Sequence, residues 1–212
     1  IMKLMIPGIL KGYDIIVVSI LSAFLIIIVS FILIAGFTKK SFVSILGTIG
    51  GTITAGFFSY IYSKLTSITG MADENVMFLI RNLGLELDFG DLYISSILIG
   101  SIGAIMDISM SITASMFEIK KQSPGIKTKN LIQSGFNIGK DVMSTMVNTL
   151  ILAYSGSSMP LIIIYLLSDI EYIYAINSEA LASEIIRSLC SSLGLVMTIP
   201  LTVIIAADVL KK

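Results

Sequence analysis

Histidine and tryptophan are absent from these 212 residues, and cysteine occurs once, as Cys190. Without histidine the chain lacks the commonest metal ligand and the usual general base near neutral pH. A lone cysteine allows neither an intrachain disulfide nor a Cys-x-x-Cys pair, and Cys190 reads as a small buried apolar residue. Without tryptophan, anchoring at a membrane–water boundary falls to Tyr13, Tyr60, Tyr62, Tyr93, Tyr172 and Tyr174. Charge is scarce too: 13 % of residues carry it, against about a quarter in soluble domains. No nucleophile–base pair and no metal cluster can be read along the chain. The expectation is therefore no enzyme, no cofactor, no metal and no nucleic-acid partner.

What is present is apolar. Hydrophobic residues make up 55 % of the chain, and the mean hydropathy is +0.96. They fall into runs near the roughly 20 residues that a helix needs to cross a bilayer. The reading is an all-α, polytopic membrane protein forming one transmembrane domain over 1–212, with the lipid bilayer as its first partner. Five spans are expected, at about 15–37, 42–62, 92–117, 142–167 and 185–209. The first is almost wholly aliphatic and should face lipid on most sides. Between the second and third spans, "ENVMFLIRNLGLELDF" is too mixed to span and reads as a surface or re-entrant element. Between the third and fourth, Leu131, Ile132, Gly135 and Phe136 recur at helical spacing. An amphipathic segment at about 128–140 is expected there, lying along the membrane surface.

The charges separate by side. Lys39, Lys40, Lys120, Lys121, Lys127, Lys129, Lys140, Lys211 and Lys212 gather at one end of the expected bundle. Asp73, Glu74, Glu86, Asp88, Asp91, Asp169, Glu171, Glu179 and Glu184 gather at the other. Lysine marks the cytoplasmic face, so the N-terminus is expected outside and the C-terminus inside. Lys3, Lys11, Lys64 and Arg81 run against this majority. The start at Ile1 suggests a preceding helix and extracytoplasmic segment.

Small and polar residues form seams on four of the helices. On the third, Ser96, Gly100, Gly103, Asp107, Ser111, Ala114 and Glu118 follow at steps of three or four. On the fourth, Asp141, Thr145, Asn148, Ser155 and Met159 follow at steps of three, four or seven, with Ser144 and Thr149 alongside. The second offers Gly47, Gly51 and Thr54; the fifth offers Ser188, Ser191, Ser192 and Thr198, with a kink expected at Pro200. Small residues let backbones approach and polar ones bond across helices, so these seams are expected to line an interior. Most serve packing alone. Asp107 differs, because a charged carboxylate near the bilayer centre costs about 2.5–3.5 kcal/mol even on the lenient insertion scale. Asp107 is therefore the leading candidate for an ion or proton pathway, with Ser111, Thr145, Asn148 and Thr149 beside it and Asp141, Glu118 and Arg187 as secondary candidates. Arg187 can also pair locally with Glu184.

The stretches "GSIGAIMDISMSITASMFEI" and "SGFNIGKDVMSTMVNTLILAYSGSSMPL" closely resemble the YibE/F family of bacterial membrane proteins, as do "PGILKGYD" and "KKSFVSILGTIGG". More distantly, the order of helices is similar to the membrane block of SecD and SecF in the resistance–nodulation–division superfamily. Asp107-Ile108-Ser109-Met110-Ser111-Ile112 with Glu118 stands where that family has its aspartate motif, Ser134-Gly135-Phe136 matches the following element, and Thr145 to Ile151 matches the next helix, centred on Asn148. Ser109 replaces an asparagine of that motif, and no basic residue answers Asp107 at its depth. The resemblance implies a SecD/SecF-like arrangement in the bacterial cytoplasmic membrane, an extracytoplasmic domain or partner subunit, and pairing of two such blocks as a homodimer or heterodimer. It also implies proton or sodium coupling through Asp107. The alternative expectation is a non-transporting scaffold that binds another membrane protein through its Gly/Ser-rich faces.

Overall fold

The expected spans form as helices, three of which begin at a side-chain cap. The computed structural model describes residue 3 and residues 5–83, 87–168 and 170–211. Its helices are α1 (Met5–Leu10), α2 (Ile15–Ala35), α3 (Lys39–Leu65), α4 (Glu74–Leu83), α5 (Phe89–Gln122), α6 (Thr128–Ser157), α7 (Met159–Leu167), α8 (Tyr172–Ile176) and α9 (Glu179–Lys211). Ile1, Glu86, Asp169 and Lys212, which entered the reading of the termini and charges, lie outside the described residues. The first-turn N–H groups that a helix cannot satisfy itself are met by side chains. Asp14 accepts from the Val17 N–H at 2.9 Å, Thr38 from Ser41 at 3.2 Å and Asp88 from Asp91 at 3.0 Å. Gly36 ends α2 at φ +65°, a conformation that costs a side-chain-bearing residue more.

α2, α3, α5 and α9 are each long and apolar enough to cross a membrane, and α6 with α7, bent by 51°, passes the same test only as a pair, with the form of a broken span or a re-entrant loop. The centre of the bundle is the trio α3, α5 and α9, with α2 packed on α3 and α5, and α6 packed on α5 and α9. Glycines permit this closeness. A Cβ on Gly51 would stand 2.9 Å from Ile105 of α5 and 3.1 Å from the Gly194 carbonyl oxygen of α9, and closer still to the Thr198 hydroxyl. A Cβ on Gly194 would stand 2.6 Å from Ala55 and 2.9 Å from the Gly51 carbonyl oxygen. In a bilayer, where no hydrophobic force separates helix from lipid, such backbone approach is what holds helices together.

These contacts also fix depth. Gly51 meets Ile105 and Gly56 meets Leu98, so Thr52, the midpoint of α3, lies level with about Gly103. Gly139 meets Ile112, and Tyr154 approaches Gly100, which puts Asp107 level with the stretch from Thr145 to Asn148. Asp107 is thus about one turn, roughly 5.4 Å, from the middle of the bundle.

Three expectations need correction. The segment at 128–140 does not lie along a surface. It continues into α6, with Leu131, Gly135 and Gly139 buried against Met116 and Val203, and Ile112 and Ile199. Its apolar face is spent on the bundle rather than on lipid. The span expected at 142–167 is interrupted at Ser158, where α7 departs with no buried residue. The first span does have a small, polar contact stripe: Ser19, Ser22 and Ala23 are buried with Ile27 and Phe31, while Val17, Leu21, Leu25 and Leu33 are exposed. At Pro200 helix α9 continues unbroken to Lys211.

Gly51→Leu should disrupt the α3–α9 contact and lower thermal stability in detergent by at least about 1–3 kcal/mol, the usual cost of overpacking. Gly103→Leu, whose Cβ would meet nothing within 4 Å, should leave stability unchanged. Cys190, buried and free, supplies the measurement, since a maleimide dye reacts with it only on unfolding.

Candidate functional site

Helix α5 presents two faces, and the polar stripe is on the outer one. Ile105, Ile108, Ser109, Ile112, Thr113 and Met116 are each fully buried. Asp107 lies two residues from Ser109, about 200° around the helix, and is exposed, as are Ser96, Gly100, Gly103 and Glu118; Ser111 is half-buried. This corrects the expectation that the stripe lines an interior. Gly100 has only the Tyr154 hydroxyl within reach of a Cβ, at 3.6 Å, and Gly103 has nothing.

Helix α6 continues the same surface. Asp141, Thr145, Asn148 and Thr149 are exposed. The threonine hydroxyls turn back on their own helix, Thr145 donating to the Val142 carbonyl at 2.9 Å and Thr149 to the Thr145 carbonyl at 2.9 Å. No hydrogen bond joins Asn148 to Asp107, although the two are near the same depth. Among the described residues Asp107 has no hydrogen-bond or ion-pair partner. Glu118 accepts from Gln122 at 3.1 Å on the lysine-bearing end.

The buried polar centre lies elsewhere. Ser109 donates to the Ser44 carbonyl at 2.9 Å and stands 3.2 Å from the Thr202 hydroxyl, joining α3, α5 and α9 directly beside Gly47. Gly47 and Gly51 therefore do serve packing, as their spacing suggests. Ser109 appeared in the sequence only as a departure from a motif. The signal that could have revealed its role is the matched four-residue spacing of Gly47, Gly51 and Ala55 on one helix and Gly194, Thr198 and Thr202 on another.

A second polar group sits toward the acidic end. Arg187 pairs with Glu184 at 3.5 Å and lies over the Tyr93 ring, 5.5 Å from its centroid. Tyr93 donates to the Ser183 carbonyl at 2.5 Å, Tyr154 stands 3.2 Å from the Ser191 hydroxyl, and Ser158, at the α6–α7 break, donates to Glu184 at 3.4 Å. Arg187 is thus tied to the Glu184 and Tyr93 groups near the N-terminal end of α5. At the same end Glu179 clasps the loop after α3, accepting from the Thr69 and Gly70 N–H groups at 2.7 and 2.9 Å. Among the described residues no cluster of His, Cys, Asp or Glu could hold a metal ion.

A model of the YibE/F-like protein family matches residues 1–212. The chain belongs to the YibE/F-like family. No curated protein and no solved structure matches it. In this YibE/F-like protein Asp107 and Asn148 are each exposed, one on α5 and the other on α6.

Ser109→Ala should cost about 1 kcal/mol, the scale of one interhelical hydrogen bond, read as an earlier onset of Cys190 labelling on heating. Asp107→Asn should leave that onset unchanged in detergent, because no contact within the chain depends on the carboxylate.

Proposed function

We propose that this YibE/F-like protein is an ion-coupled membrane transporter, or an export-assisting protein, that works as a pair of five-helix blocks meeting along the α5–α6 surface. The observation that carries the reading is Asp107: exposed, without a partner in its own chain, and about one turn from the middle of the bundle. A carboxylate facing hydrocarbon there is costly. A second block laid against the stripe removes that face from lipid, and Gly100 and Gly103 let its backbone come close. Between two such blocks Asp107 can gain and lose a proton or hold a sodium ion, with Ser111, Thr145, Asn148 and Thr149 as neighbouring ligands. Charging it favours one packing of the two blocks and neutralising it another, and a ligand with differential affinity for two packings drives movement between them. The lysine-rich end is then the cytoplasmic face in a bacterial inner membrane, with the N-terminus outside.

Two measurements test it. In proteoliposomes under an imposed proton or sodium gradient, Asp107→Asn should abolish coupled flux that the wild-type chain supports; wild-type flux in the variant would overturn the coupling role. In a Cys190→Ala background, Gly103→Cys should form a disulfide between copies in membranes, whereas a cysteine at lipid-facing Leu33 should not. The scaffold reading predicts the reverse pattern: function intact in Asp107→Asn, lost in Gly103→Leu, and no disulfide between copies.

A further inference from the structure

A second feature, on the other side of the bundle from α6, has the form of an amphiphile site. An apolar groove of about 360 Å³ lies between α2, α3 and α5, walled by Ile16, Ile20, Phe24, Ile53, Phe57 and Leu98. It runs along α3 from Thr52 to Tyr60, eight residues or roughly 12 Å. That is close to the depth of one leaflet, about half of a 30 Å hydrocarbon core. A polar cavity of about 480 Å³ adjoins its outer end, sharing Ile94 as a wall and holding Lys64, Asp88, Asp91, Ser67 and Thr69.

The charges in the polar cavity are of both signs and are separately available. Lys64 extends over the Tyr60 ring, its ammonium 5.8 Å from the centroid, and Tyr60 is itself a wall of the groove. It makes no ion pair among the described residues. Asp88 is occupied as the cap of α5, but the Asp91 carboxylate has no hydrogen-bond or ion-pair partner among them. An apolar slot one leaflet deep, topped by one cation and one free carboxylate, matches a lipid whose headgroup carries a phosphate and an amine.

We propose that this groove binds one phospholipid of the leaflet at the acidic end, with an acyl chain between Phe24 and Phe57, its phosphate on Lys64 and its ammonium on Asp91. Simple annular lipid would use any apolar face alike. Here a chain is selected by shape and a zwitterionic headgroup by paired charge, so phosphatidylethanolamine should be held in preference to phosphatidylglycerol, which lacks the ammonium. The site is independent of Asp107 and of the pairing of two blocks.

The experiment uses the purified full chain in nanodiscs containing phosphatidylethanolamine or phosphatidylglycerol, each with a diazirine midway along one acyl chain. Photo-adducts are mapped by peptide mass spectrometry. Adducts from phosphatidylethanolamine should concentrate on Ile20, Phe24, Ile53 and Phe57 over equally lipid-facing Leu25 and Leu33. Ile53 is 54 % exposed, so Ile53→Trp fills the groove from its rim and should cut groove adducts about tenfold, equivalent to about 1.4 kcal/mol. Protection of Cys190 reports that the variant is folded. Lys64→Gln combined with Asp91→Asn should remove the headgroup preference while leaving chain adducts in the groove. Adducts spread evenly over all lipid-facing positions, or equal groove labelling by the two lipids in the wild-type chain, would overturn the proposal.

Discussion

Helices α3 and α9 rest backbone against backbone, and the other helices are arranged around that contact. Gly51 and Gly194 leave room for one main chain to rest on the other. Water cannot satisfy stray polar groups inside a bilayer, and two of the buried threonines of α9 find partners at this contact. Thr198 bonds back to Gly194 at 2.8 Å, and Thr202 reaches Ser109. Ser109 in turn fixes the rotation of α5. With that hydroxyl and the Ile105, Ile108 and Ile112 side chains turned inward, the opposite side of the same helix must face outward, and Asp107 is on it.

The outward face of Asp107 is therefore a consequence of packing elsewhere. A single polar stripe would suit the inside of a bundle, but α5 has two stripes of small or hydroxyl-bearing residues. The one with bulky isoleucines between its serines fills the core. The one with glycines and a carboxylate is left for something beyond this chain. A close-packed interior tolerates neither gaps nor unpaired charge, so the helix buries the face that interdigitates.

Much of this was legible in the residues. The spans followed from hydrophobic length alone, and the caps Asp14, Thr38 and Asp88 stand where the apolar runs begin. The packing role of Gly47 and Gly51 followed from their spacing. The 128–140 segment was misplaced because an amphipathic helix reads the same whether its apolar face meets lipid or a neighbouring helix; Leu131, Gly135 and Gly139 meet α5 and α9. The break at Ser158 falls in Ser155-Gly156-Ser157-Ser158-Met159-Pro160, a turn signal that the length of the surrounding apolar segment masked.

Composition and periodicity thus determined a membrane-spanning helical bundle and the depth at which a carboxylate would sit. Both depend on local order along one helix, 1.5 Å per residue and 100° per step. Which way each helix turns depends on contacts among residues far apart in the chain, such as Ser44, Ser109 and Thr202. Only the tertiary structure could therefore decide that Asp107 faces away from its own chain, and that Lys64 and Asp91 line one polar cavity beside an apolar groove.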